Sequence, residues 1–88
     1  MQLHLFPTVI KSAHLVANSP KKAFYDLSLV EDQGRYYVRK ESGAGHKILD
    51  RRVWPMPDLR RAILKYNQIL KEKLNPERNS KRHYQKVA

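Results

Sequence analysis

The run from Gly34 to Met56, GRYYVRKESGAGHKILDRRVWPM, most restricts how this chain can fold, because it joins an aromatic strand, a glycine-bearing turn and a doubly basic strand. Tyr36, Tyr37 and Val38 are aromatic or β-branched, the residue types that fit a pleated, half-buried surface. One of the two tyrosines must face a core and the other solvent. Ser42-Gly43-Ala44-Gly45 then breaks the pattern with residues that tolerate tight turning, which predicts a reversal of the chain. Beyond it, Ile48, Asp50, Arg52 and Trp54 fall on one face of a strand and Leu49, Arg51 and Val53 on the other, since side chains alternate. A hairpin here crowds Arg39, Lys40, Lys47, Arg51 and Arg52 around one loop.

The flanking segments extend this sheet and then cover it. Lys22 to Val30 is a strand with Tyr25, Leu27 and Leu29 on its core face and Phe24, Asp26, Ser28 and Val30 on the other. Glu31-Asp32-Gln33-Gly34 supplies a polar connection with glycine where a positive φ costs little, so this strand pairs antiparallel with Arg35 to Glu41. Upstream, Gln2 to Phe6 alternates as a short strand would, and Thr8 to Ala17 reads as a strand carrying a bulge or as an irregular arm. Asn18-Ser19-Pro20 is a turn signal. Downstream, Asp58 can cap a helix whose buried stripe is Leu59, Ala62, Ile63, Tyr66, Leu70 and Leu74. Arg60, Lys65, Gln68, Lys71 and Glu72 lie on its opposite face, and Asn75-Pro76 ends it, because a residue before proline avoids the helical region. The remaining segment is polar and basic, either a free tail or a segment anchored on the sheet by Tyr84. These elements predict an α+β fold, an antiparallel β-sheet meander with one long α-helix packed on one face. Residues 1–88 form one domain, with 76–88 a basic C-terminal segment.

Eighty-eight residues suffice for one small core and leave no room for a second lobe. The chain has no cysteine, which removes disulfide and thiolate-metal chemistry and favours a cytoplasmic setting. No secretory signal is recognisable before Pro7, and no apolar run approaches the roughly 20 residues that span a bilayer. Charge is the strongest global signal, a formal +10 with a pI near 10.2. Four Lys or Arg stand against three acids from Met1 to Val38, and fourteen against five from Arg39 to Ala88, so the second half carries +9. A cationic field of that kind attracts polyanions over a Debye length of roughly 8 to 10 Å.

From Phe24 to Leu74 the chain resembles the WGR domain, a DNA-contacting module of poly(ADP-ribose) polymerases found also in small bacterial proteins. Such domains run from an aromatic-led strand and an acidic turn to a second strand ending in Trp-Gly-Arg. A further strand, a Met-Pro-Ser type cap and a helix bearing Ala-Ile and Phe follow. Phe24 to Asp32 is similar to the first strand and turn, and Arg35-Tyr36-Tyr37-Val38 to the second strand. Met56-Pro57-Asp58, Ala62-Ile63, Tyr66 and Lys73-Leu74-Asn75 resemble the cap, the helix and its end. The signature itself is replaced by Ser42-Gly43-Ala44, which keeps the glycine and lacks both functional side chains. The resemblance implies the fold and a divergent, free-standing relative of bacterial type. The DNA-end roles of the signature tryptophan and arginine do not carry over to Ser42 or Ala44, although Trp54 and Arg51 or Arg52 offer an aromatic and a cation nearby.

No catalytic constellation can be assembled. His4, His14, His46 and His83 are dispersed with no i, i+4 ligand pair, and no glycine-rich phosphate loop precedes a helix. The chain therefore reads as non-enzymatic, with no cofactor. Gly43 and Gly45 could form a small amide nest for phosphate, though a plain turn is the simpler reading. Arg51 and Arg52 point oppositely, so only one shares a face with Arg39, the other being structural or paired with Asp50 or Glu41. Trp54, just before a proline turn, fits a core-edge residue as well as a stacking platform. The expectation is a nucleic-acid-binding module, DNA ahead of RNA, working mainly through phosphates. Its surface has Arg39, Lys40, Lys47, Arg51 and Arg52 on a loop side and Lys81, Arg82 and Lys86 on a tail side, with Tyr37 or Trp54 adding stacking. Six phosphate contacts would give a log-log salt slope near about −5 on duplex DNA. The alternative is a protein-interaction module without the family's DNA contacts. A monomer is expected, and no membrane partner, because the helix stripe is already needed for the core.

Overall fold

The computed structural model describes residues 7–18, 20–75 and 84–87. Strands β1 (Thr8–Ala17), β2 (Ala23–Asp32), β3 (Arg35–Ala44) and β4 (Lys47–Met56) precede helix α1 (Leu59–Leu74) and a short β5 (Tyr84–Val87). They form one five-stranded sheet in the order β4-β3-β2-β1-β5, with every described pairing antiparallel. The first four strands are a meander because each connection is short. The β2–β3 turn is Gln33-Gly34, both at positive φ (53° and 78°), the two-residue geometry whose twist matches that of the strands it joins.

The second reversal differs from the sequence expectation. Ser42, Gly43 and Ala44 continue β3, and the chain turns only at Gly45-His46, with Ala44 opposite Lys47. Gly43 is required inside the strand by close approach, since a Cβ there would lie 1.9 Å from the Lys47 carbonyl oxygen. The Gly45 amide donates to the Lys22 carbonyl at 3.1 Å. The Gly45 amide, one of the two considered for a phosphate nest, is thus engaged within the chain, as in a plain turn. The β3–β4 register slips between Ser42 and Gly43, which oppose Asp50 and Ile48 and leave Leu49 as the extra residue. Ile48 therefore shares the face of Arg51 and Val53 rather than that of Asp50, Arg52 and Trp54.

The helix lies on one face of the sheet. Ala13, Leu15 and Ala17 of β1, Tyr25, Leu27 and Leu29 of β2, and Val38 of β3 are buried there against Ala62, Tyr66 and Ile69. Tyr36, Trp54 and Met56 pack at the margin of this core. Each large side chain buried contributes on the order of 1.5 to 3 kcal/mol before conformational entropy is subtracted. Asp58 caps α1 by accepting from the Arg61 amide at 2.8 Å, and Asn75 leaves the helix at ψ 119°. The expected stripe needs two corrections: Leu59, its first member, is 37% exposed, and Ile69, outside it, is buried. Val30, placed by alternation on the outer face, is nevertheless buried, flanked in the register by Val9 and Tyr37.

At the amino-terminal end Thr8–Ala17 is a strand with a bulge between Val9 and Lys11, the first of its two readings. The proposed Gln2–Phe6 strand lies outside the described residues. After α1 the chain rejoins the sheet at the far edge. Tyr84 is buried with its ring 5.8 Å from Tyr25, and β5 pairs with β1. Anchoring by Tyr84, the second reading of the C-terminal segment, is what holds β5.

Candidate nucleic-acid interface

Alternation along β3 and β4 sorts the basic residues into two sets on opposite faces. Lys40 pairs with Arg52 and Val38 with Trp54 on the helix side, whereas Arg39 pairs with Val53 and Glu41 with Arg51 on the other. On the helix side, β4 stands beyond the flank of α1, and the two elements bound a cleft of about 320 Å³. Tyr25, Lys40, Arg52 and Trp54 line it from the sheet, and Lys65 and Lys73 from the helix. Two carboxylates, Asp50 and Glu72, belong to the same lining, so four cations against two acids leave a net +2.

Aromatic rings hold these cations in place. The Arg52 guanidinium is 4.9 Å and the Lys65 ammonium 5.3 Å from the Trp54 ring, while Lys40 and Lys73 stand 5.5 Å and 5.0 Å from that of Tyr25. Such contacts contribute about 0.5–1 kcal/mol each at exposed sites, enough to position a long side chain without neutralising it. Lys40 is also ion-paired with Asp50, with 15% of the Lys40 side chain exposed. The hydrogen bond from Lys40, and then its charge, holds the Asp50 carboxyl below its ordinary value of 3.8. Arg52 and Lys65 form no ion pair within 4.0 Å among the described residues.

On the opposite face carboxylates stand beside basic groups. Arg51 Nε lies 3.7 Å from Glu41 Oε1, and His14 Nδ1 bonds Asp26. The register aligns His14, Asp26, Glu41 and Arg51 in one row across four strands, two neighbouring carboxylates flanked by basic groups. Arg39 borders the shallow hollow beside this row together with Ser12 and Ser28. Among the described residues no group of three or more histidines or carboxylates is placed to hold a metal.

The structure therefore gathers three of the sequence-proposed residues, Lys40, Arg52 and Trp54, and disperses the others that it describes. Arg39, Arg51 and a half-buried Tyr37 lie across the sheet, with Tyr36 taking the core side. Arg51 is thus the arginine that shares Arg39's face, and it is also the one beside Glu41. Lys47 is exposed after the turn, and Lys86 sits on β5, separated from β4 by the three intervening strands. Lys81 and Arg82 lie outside the described residues. Tyr25, Lys65 and Lys73 were not anticipated as members of a site. Their signal in the sequence is the spacing of Lys65, Ile69 and Lys73, which are four apart and so share one flank of a helix.

No protein-family model matches the chain, and a search of curated proteins finds no matching relative. No helix of the described residues is long and apolar enough to cross a membrane.

Proposed function

We propose that this protein is a non-enzymatic nucleic-acid-binding module, for DNA in preference to RNA, and that the cleft between α1 and β4 is where it holds phosphates. The observation that carries this reading is the convergence of Arg52 and Lys65 on Trp54, beside Lys40 and Lys73 on Tyr25. Cations interleaved with aromatic rings are the combination that single-stranded and backbone-directed nucleic-acid sites use. A net charge of +10 draws a polyanion toward it. The WGR resemblance supports the same assignment at the level of fold, since hairpin, Met56-Pro57-Asp58 cap and helix follow in that order. In this reading a cytoplasmic monomer makes phosphate contacts with little sequence preference.

The test is a titration of labelled DNA at several salt concentrations. Four cations, with Lys40 shared with Asp50, predict a slope no steeper than roughly −3 to −4, shallower than a six-contact surface would give. A slope near zero removes the proposal. The second reading, a protein-interaction module, is favoured by one observation, an exposed hollow of about 310 Å³ lined by Leu59, Arg60, Ile63 and Leu64. A partner seated there would stay bound at high salt.

A further inference from the structure

We infer that the cleft takes a single nucleic-acid strand rather than a duplex, with one unstacked base against Trp54 and the adjoining phosphates on Arg52 and Lys65. The inference rests on the reading of this cleft as a nucleic-acid site and adds the form of nucleic acid. A duplex presents a negative charge about every 1.7 Å along its axis and binds best to a broad cationic face. Among the described residues the sheet offers none. A duplex laid over the cleft has Arg39 and Arg51 on the far side of β3 and β4, and Lys86 at the opposite edge of the sheet.

The cleft's size and lining point the same way. At about 320 Å³, between a helix and an edge strand, it is at the small end of pockets that enclose a compact ligand, and a rigid rod cannot enter it. Trp54, the half-buried ring among the cations, can be used only by a base that has left its stack, because the bases of a duplex are already stacked on one another, whereas Tyr25 is buried. Trp54 holds Arg52 and Lys65 at 4.9 Å and 5.3 Å, so a base arriving on the ring displaces the flexible lysine toward the phosphate beside that base. Asp50 and Glu72 in the same lining repel further phosphates and keep the contact to one or two nucleotides.

Trp54 is the only tryptophan of the chain, so its fluorescence reports from the site itself. The full chain is titrated with an oligothymidylate, a duplex of equal length and inorganic polyphosphate. The expected result is quenching by the single strand, affinity for it about tenfold or more above that for the duplex, and a salt slope no steeper than about −3. Polyphosphate, which has no base, should quench less at equal saturation. Trp54→Phe should retain single-strand binding and Trp54→Leu should lose about tenfold, with Arg52→Glu as the second variant should the leucine chain fail to fold. Duplex binding as tight as single-strand binding, or single-strand binding without quenching, overturns the inference and leaves the nucleic-acid reading standing. Failure of every nucleic acid to bind at low salt overturns both.

Discussion

Arg52 on β4 and Lys65 on α1 converge on one indole, at 4.9 Å and 5.3 Å from the centroid of the Trp54 ring. The ring thus sits between strand and helix and fixes where two cations stand relative to each other. That placement requires a β3–β4 pairing in which Trp54 opposes Val38 on the core side, and the pairing depends on the geometry of the preceding turn.

Gly43 is the residue on which the turn is most sensitive. A Cβ there would meet the Lys47 carbonyl oxygen at 1.9 Å and its carbon at 2.9 Å, both backbone atoms that cannot swing aside. Gly43→Ala should destabilise the fold by about 1 to 3 kcal/mol, the usual range for forcing atoms into a closely packed site. Urea unfolding with an unchanged m-value and a lowered midpoint is the expected record.

Asp58 supports the helix that carries Lys65 and Lys73. Its side chain accepts from the Arg61 amide at 2.8 Å, so Asp58→Ala leaves a first-turn donor to water. The loss should be about 1 kcal/mol, within the range for removal of an N-cap. Asp58→Ser should restore most of it, measured by thermal melts of the three chains.

The core face can be separated from the exposed apolar residues by size of effect. Leu27 is 1% exposed beneath the helix, and Leu27→Ala should cost about 2 to 5 kcal/mol. Leu64, 61% exposed on α1, should tolerate alanine within about 0.5 kcal/mol. Equal losses at the two positions would mean that α1 packs through a different stripe.

Two titrations should shape the stability curve with opposite sign. The Asp50 carboxyl is held below 3.8 by Lys40, so the unfolded chain takes up that proton first as the pH falls. Stability from this pair is present above 3.8 and is lost as the pH drops through the lower, folded value, and Asp50→Asn should flatten the acid limb. Burial raises the Tyr66 phenol above 10.0. The unfolded chain releases that proton first, so stability should decline as the pH rises past 10.0, and Tyr66→Phe should remove this decline. Chemical denaturation across the pH range reads both.

The legible parts of the fold were those that repeat. Tyr25, Leu27 and Leu29 mark a strand face by alternation, and Ala62, Ile63 and Tyr66 mark a helix by spacing, so sheet, hairpin and helix follow from local pattern. The bulge at Leu49 does not, because an extra strand residue looks like any other until its partner strand is known. The role of Gly43 is hidden for a related reason. A glycine that turns the chain and one that admits a neighbouring carbonyl look the same in sequence. Of the candidate site, the opposite facing of Arg51 and Arg52 was visible by parity. The approach of Lys65 and Lys73 was not, since the flank of a helix becomes a cleft wall only once the sheet beside it is in place.

Two charge reversals of equal size test whether anion binding belongs to one face. Arg52→Glu with Lys65→Glu and Arg39→Glu with Arg51→Glu change the net charge by the same amount on opposite sides of the sheet, so long-range attraction falls alike in both. The affinity of each folded double variant for DNA is measured at one ionic strength against the unaltered chain. The account predicts that the Arg52/Lys65 pair loses at least about tenfold more affinity than the Arg39/Arg51 pair. Equal losses, or a larger loss from Arg39 and Arg51, would contradict it.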